Sequence, residues 1–277
     1  MPRDSHDLFR VMQLTQINIY PIKSTAGIKL EHSQVLPRGL EHDRRWMLVD
    51  HEWRFITARE CPTLVLVTTT LRPEGLVVSG PNASTVTIPH KANGHGHCEV
   101  EVWGDVCSGV KVSDAADSWF SAYLGRPCHL VHMTDSSIRR VDPNYSRAGD
   151  IVSFADGFPL LLISTLSLHD LNTHLSQPVS MQRFRPNLVV DGCDAYAEDN
   201  WRRLRIGEVE FEGAKACSRC VLTTVDPDSG ERHPELEPLR TLGTYRRGPE
   251  GGVFFGQNLI PRGQGVVHVG DDVEILD

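Results

Sequence analysis

The chain of 277 residues contains no apolar run near the roughly 20 residues that a helix needs to cross a bilayer, so it offers no candidate membrane span. Positive charge is scarce: 28 Lys and Arg against 36 Asp and Glu leave a net charge of −8. An acidic chain is a poor non-specific partner for DNA, RNA or anionic lipid, although a local basic pocket for a phosphorylated small molecule stays compatible with it. The first ten residues lack the basic start and apolar stretch of a secretory signal. With Asp4 and Asp7 they are not an Arg-rich, acid-poor transit peptide either. A cytoplasmic location is expected. A disulfide framework is missing as well, because the seven cysteines are odd in number and scattered, which suits a reducing compartment. There is no glycine fingerprint of a dinucleotide site, no internal repeat and no low-complexity tract.

What is present reads mostly as strand. Residues 14–20 carry β-branched side chains and stop at Pro21. Residues 46–49, 64–70 and 85–88 are short apolar runs bounded by turn residues. Residues 98–103 alternate, with Cys98, Val100 and Val102 on one face and Glu99 and Glu101 on the other. Short strands with regular turn signals predict a barrel or curled sheet. Residues 93–97, with His95 and His97, form a Gly- and His-rich tip that reads as a hairpin loop rather than a metal site. One helix is expected over 113–124, capped by Ser113 and ended by Gly125, and a second over 165–175, with Ser167 and Asp170 as a capping-box variant. The polar stretch 134–150 is the expected crossing between halves. Strands return over 187–190, 208–212, 266–269 and 273–276. The expected class is α+β and β-rich, with a tail over 1–10, a first domain over 11–133 and a second over 134–277.

The chemistry concentrates at Ala216-Cys217-Ser218-Arg219-Cys220, followed by Val221 to Val225 and then Asp226-Pro227-Asp228. Two cysteines at C-x-x-C spacing can hold a metal, form a redox disulfide or supply one reactive thiol. Zinc wants four ligands, and no second C-x-x-C or nearby H-x-x-x-H pair exists. A thioredoxin-like disulfide wants a helix beginning at the motif, whereas a β-rich run, residues 221–225, follows here. Lys215 and Arg219 flank the thiols and favour a thiolate. One exposed thiolate in an electropositive pocket is the better physical reading; a pair of small buried hydrophobes is the competing one.

That segment closely resembles the signature of the MOSC family, named for the C-terminal domain of molybdenum cofactor sulfurase. Within the family it is most similar to the branch of the mitochondrial amidoxime-reducing component and its bacterial relatives. The resemblance spans nearly the whole chain. It runs through Tyr20-Pro21-Ile22-Lys23-Ser24, Asp43-Arg44-Arg45-Trp46-Met47-Leu48-Val49, Phe154-Ala155-Asp156-Gly157-Phe158-Pro159 and the stretch from Ser164 to Asn172. It continues through Arg183-Phe184-Arg185-Pro186-Asn187, Tyr196-Ala197-Glu198-Asp199 with Trp201, and Phe255-Gly256-Gln257-Asn258.

The resemblance implies an N-terminal barrel-like domain packed against a MOSC β-barrel, with a molybdenum cofactor (molybdopterin with Mo) in the cleft between them. Cys220 is then the metal ligand, a soft thiolate that must be deprotonated to bind, and Cys217 is structural. Lys23, Ser24, Arg44 and Arg185 are implied as cofactor contacts, with Asn187 at the pterin's polar edge and Ser218 and Arg219 beside the ligand. Asp156 is a further implied contact, although Gly157 and Phe158 stand where some relatives have small hydroxyl residues. Asp228 is read either as a carboxylate turned back toward the metal, binding an amidine or shuttling a proton, or as a turn residue. The implied activity is reduction of N-hydroxylated small molecules. Because no cysteine occurs in residues 221–277, electrons are expected from a separate ferredoxin, or from a flavoprotein with a haem or iron–sulfur partner. A cofactor carrier or sulfur-transfer module is the alternative, although no desulfurase half is present.

Overall fold

The computed structural model describes residues 11–92 and 96–277; the tail 1–10 and residues 93–95 of the His-rich tip lie outside the described residues. Alternation builds most of the strands. Val100 and Val102 are buried while Glu99 and Glu101 are exposed, as the period-two pattern requires. The strand His97–Val102 pairs with Asp105–Lys111, and that strand with His129–His132, which lies beside Trp46–Val49 in one four-stranded sheet. A three-stranded sheet, Thr68–Arg72, Gly75–Ser79 and Val86–Ile88, stands nearby. The expected strand over 64–70 begins late, because Pro62 opens a 3-10 turn over Pro62–Leu66.

The largest sheet has eight strands in the order Val273–Ile275, Arg203–Ile206, Val209–Ser218, Phe254–Pro261, Leu160–Ser164, Leu188–Asp191, Gln13–Ile19 and Ile28–Leu30. The first described strand therefore joins a sheet otherwise built mainly from residues after 159. It pairs antiparallel with Leu188–Asp191, Ile17 opposite Leu188. That register buries Leu14, Ile17 and Ile19 against Leu162, Leu188, Phe211 and Leu259 in one apolar core. A second core lies among Ile22, Trp46, Leu64, Leu76, Trp119 and Phe120.

Among the described residues three α-helices pack on these sheets. α1, Asp114–Leu124, starts where the Ser113 hydroxyl accepts the Ala116 N–H and ends at Gly125, whose φ is +67°. α2, Thr165–Thr173, is capped by Ser164 rather than by the expected pairing of Ser167 and Asp170. The Ser167 hydroxyl instead reaches both oxygens of buried Glu198, at 2.8 and 2.9 Å. α3, Leu239–Tyr245, follows the cysteine segment. Among the described residues no helix is long and apolar enough to cross a membrane.

Candidate active site

The cysteine segment leaves the sheet at the end of Val209–Ser218. The Arg219 N–H bonds Val253 O at 2.7 Å, and Cys220, in extended backbone, precedes a 3-10 turn over Val221–Thr224. The expected β-rich run over 221–225 is thus a turn. Its cause is local: the Thr223 and Thr224 hydroxyls donate to Cys220 O and Val221 O, at 2.9 and 2.7 Å, and these bonds compete with sheet pairing. Both thiols are free and half-buried, and both line one pocket.

The pocket's charge is opposite to that of the chain. Lys23, Arg44, Arg59, Arg183, Arg185 and Arg219 line it against Asp156 alone. Each basic group is held by its surroundings. The Lys23 ammonium, buried to 5 % exposure, donates to Phe154 O at 2.8 Å and Asp156 Oδ1 at 2.6 Å. Burial pulls its pKa below the ordinary lysine value, and Asp156 pulls it back in part. The Asp156 side chain is 65 % exposed. Burial within the protein raises its pKa, but the Lys23 ammonium, Arg59 and the Trp103 N–H outweigh that and hold the carboxyl well below the usual range. Arg139 fixes the backbone beneath it, donating to Ser153 O, Ala155 O and Asp156 O.

Arg44 and Arg185 flank the Tyr20 ring, their guanidinium carbons 4.4 and 4.2 Å from its centroid. Burial pushes the Tyr20 hydroxyl up to about 12 and pulls Arg185 down to about 10. Arg44 donates from Nη1 to Asp43 Oδ2 at 2.6 Å and to Asn187 Oδ1 at 2.9 Å. Arg185 has a φ of +56° and donates from Nη1 to Thr25 O at 2.6 Å. Arg219 bridges Cys217 Sγ, at 3.0 Å, and Phe184 O, at 2.7 Å.

The structure therefore gathers Lys23, Ser24, Arg44, Asp156, Arg185, Asn187, Ser218, Arg219 and Cys220 around one pocket. Asn187 reaches it with an amide already engaged: Oδ1 accepts from Arg44 and from Leu161 N, and Nδ2 donates to Asn18 O. Its visible work is to hold Arg44. Asp228 is not brought there. It is exposed, lines a neighbouring cavity, and its N–H is capped by Asp226 Oδ1 at 2.9 Å. Arg59, Trp103 and Arg183 are lining residues that sequence reasoning passed over. Trp103 had a signal, an aromatic beside Gly104 between two strands. Arg183 stood in a motif from which only Arg185 and Asn187 were taken. Arg59 had none.

The donor set fits an anionic, sulfur-seeking group. Among the described residues no three His, Cys, Asp or Glu side chains gather as a metal site, so a metal here would rely on a thiolate and on donors it brings with it. Arg219 Nε is buried without a hydrogen-bond partner among the described residues, a donor left for a ligand.

A model of the MOSC N-terminal beta barrel domain matches residues 11–127, and one of the MOSC domain matches residues 149–274. The mitochondrial amidoxime-reducing component 1 of Homo sapiens is 35 % identical to the chain, over 97 % of this chain and 84 % of that protein. The chain belongs to the MOSC family. The component 1 protein of Mus musculus is 36 % identical to this MOSC protein over 99 % of its length, covering 85 % of the mouse protein. Component 2 of Rattus norvegicus is 35 % identical over 98 %, covering 86 % of the rat protein. The crystal structure of the YUAD protein from Bacillus subtilis aligns over 95 % of this chain and 94 % of its own, at 11 % identity and a TM-score of 0.45.

Proposed function

We propose that this MOSC protein binds a molybdenum cofactor through Cys220 and reduces N-hydroxylated small molecules. The observation that carries the reading is the placement of Cys220 in a pocket whose walls hold six basic side chains against one acid. The relatives that are named for amidoxime reduction support it. When bound, the cofactor supplies the two-electron chemistry that takes oxygen from an N–O bond and releases it as water.

The chain's own residues bind and orient. Cys220 holds the metal, which takes a cysteine as its thiolate. Lys23, Arg44 and Arg185 present fixed charged donors to a phosphate, with Ser24 and Ser218 beside them. Because these donors are pinned by Asp156, Asn187 and Thr25 O, little ordering is left to the moment of binding. Arg219 Nε adds a donor beside the cysteine pair. Electrons come from a separate ferredoxin, or from a flavoprotein with a haem or iron–sulfur partner. Replacing Cys220 with Ala should leave the circular dichroism spectrum intact and abolish benzamidoxime reduction with a chemical reductant; full activity in that variant would refute the reading.

A further inference from the structure

A second cavity, of about 350 Å³, adjoins the first. The two share Arg183, Arg185 and Leu222 as walls, and Leu222 stands two residues beyond Cys220. On its far side the cavity is bounded by Tyr20, Val65, Leu66 and Val225, with Ala26 and Thr68 touching it and not the Cys220 pocket. Its inner charges are already engaged. Arg183 donates to Asp226 Oδ2 at 2.7 Å and Thr224 O at 3.2 Å, and Arg185 to Thr25 O at 2.6 Å. Lys29 and Asp228 are exposed. What the cavity offers within is therefore mainly the apolar surface of Val65, Leu66, Leu222 and Val225, with Asn18 and Gln182 as polar wall residues and the Tyr20 ring, 3 % exposed, closing one side. That ring is held close: a Cβ on Gly27 would stand 2.6 Å from it, so only glycine lets it lie there. The volume is that of a small-ligand pocket, and such pockets bind through apolar walls with few polar groups.

We propose that this cavity is the subsite for the apolar ring of an N-hydroxylated substrate, whose N–O group then lies across the Arg185–Leu222 wall in the Cys220 pocket. The word substrate rests on the reductase reading; the cavity and its affinity for a ring do not. Small N-hydroxylated molecules such as hydroxylamine need only the first pocket. Ring-bearing ones gain affinity from the second by burying apolar area.

The test fills the second cavity from walls that the first does not share. Ala26→Phe occupies it directly. Thr68→Trp does so from an exposed strand position that accepts an aromatic residue without cost to the fold. Benzamidoxime is titrated calorimetrically into the cofactor-loaded protein without reductant, so that binding is read without turnover. The affinity should fall at least tenfold in both variants, and kcat/KM for benzamidoxime relative to hydroxylamine should fall by the same factor. Parental affinity in either folded variant, or no saturable binding to the parent protein, overturns the subsite. If the parent protein does not reduce hydroxylamine, the reductase reading falls while the calorimetry still decides the subsite.

Discussion

The guanidinium of Arg219 donates a hydrogen bond to the Sγ of Cys217 at 3.0 Å, while its other arm holds Phe184 O at 2.7 Å. The cysteine that the family resemblance leaves structural is thus tied through one guanidinium to the backbone of Phe184. Charged hydrogen bonds of this kind contribute on the order of 1.5 kcal/mol. Arg219→Leu should therefore lower the unfolding free energy of the cofactor-free protein by about 1.5 kcal/mol, read by urea denaturation. An unchanged stability would mean that the two contacts do not help to hold the cysteine segment.

Asn187 is the joint between the first and second halves of the pocket wall. Its amide accepts from Arg44 Nη1 in a partly buried setting, and accepts from Leu161 N and donates to Asn18 O in a buried one. Asn187→Ala strands those partners without water. The expected loss is about 3 kcal/mol in urea unfolding, since each buried group left unpaired costs about 1–3 kcal/mol. The same variant should weaken retention of the bound pterin, measured by its fluorescence after denaturation, because Arg44 loses the group that aims it.

The alternating strands and the first helix were legible because Val100 and Val102 alternate with acids and because Ser113 and Gly125 punctuate the helix. Leu160–Ser164 was not read as a strand. It is buried along its whole length between two neighbours, which removes the period-two signal. Residues 221–225 looked extended by composition, and only the threonine hydroxyls decide against it. In the site, Lys23, Arg44 and Arg185 were carried by motifs. Trp103 and Arg59 were not, because their place depends on a hairpin folding over Lys23, where Trp103 Nε1 meets Asp156 Oδ1 at 3.1 Å and Arg59 stacks on the indole at 4.2 Å.

Acid should destabilise the protein through His132. Burial, reinforced by Arg45 and opposed by Asp135, lowers this histidine from 6.5 to about 4. The unfolded chain takes up the proton first, so the contribution is complete above pH 6.5 and is lost as pH falls from 6.5 to 4. It amounts to up to about 3 kcal/mol. His132→Phe keeps a ring beside Trp46, whose centroid lies 4.8 Å away, and should flatten the unfolding free energy across that window. An equally steep profile in the variant would assign the acid sensitivity elsewhere.

Asp228 tests the division between the two cavities. It stands on the wall of the second and outside the Cys220 pocket. Asp228→Asn should therefore change kcat for hydroxylamine by less than about threefold, whereas removing a proton shuttle costs roughly a hundredfold or more. A loss of that larger size would place the carboxylate in the reaction.

The most direct test of the account is the sulfur count at the metal. Molybdenum K-edge X-ray absorption on the loaded protein and on Cys220→Ser should show one sulfur scatterer fewer per molybdenum in the variant. An identical sulfur shell in both would contradict the assignment of Cys220 as the protein's ligand.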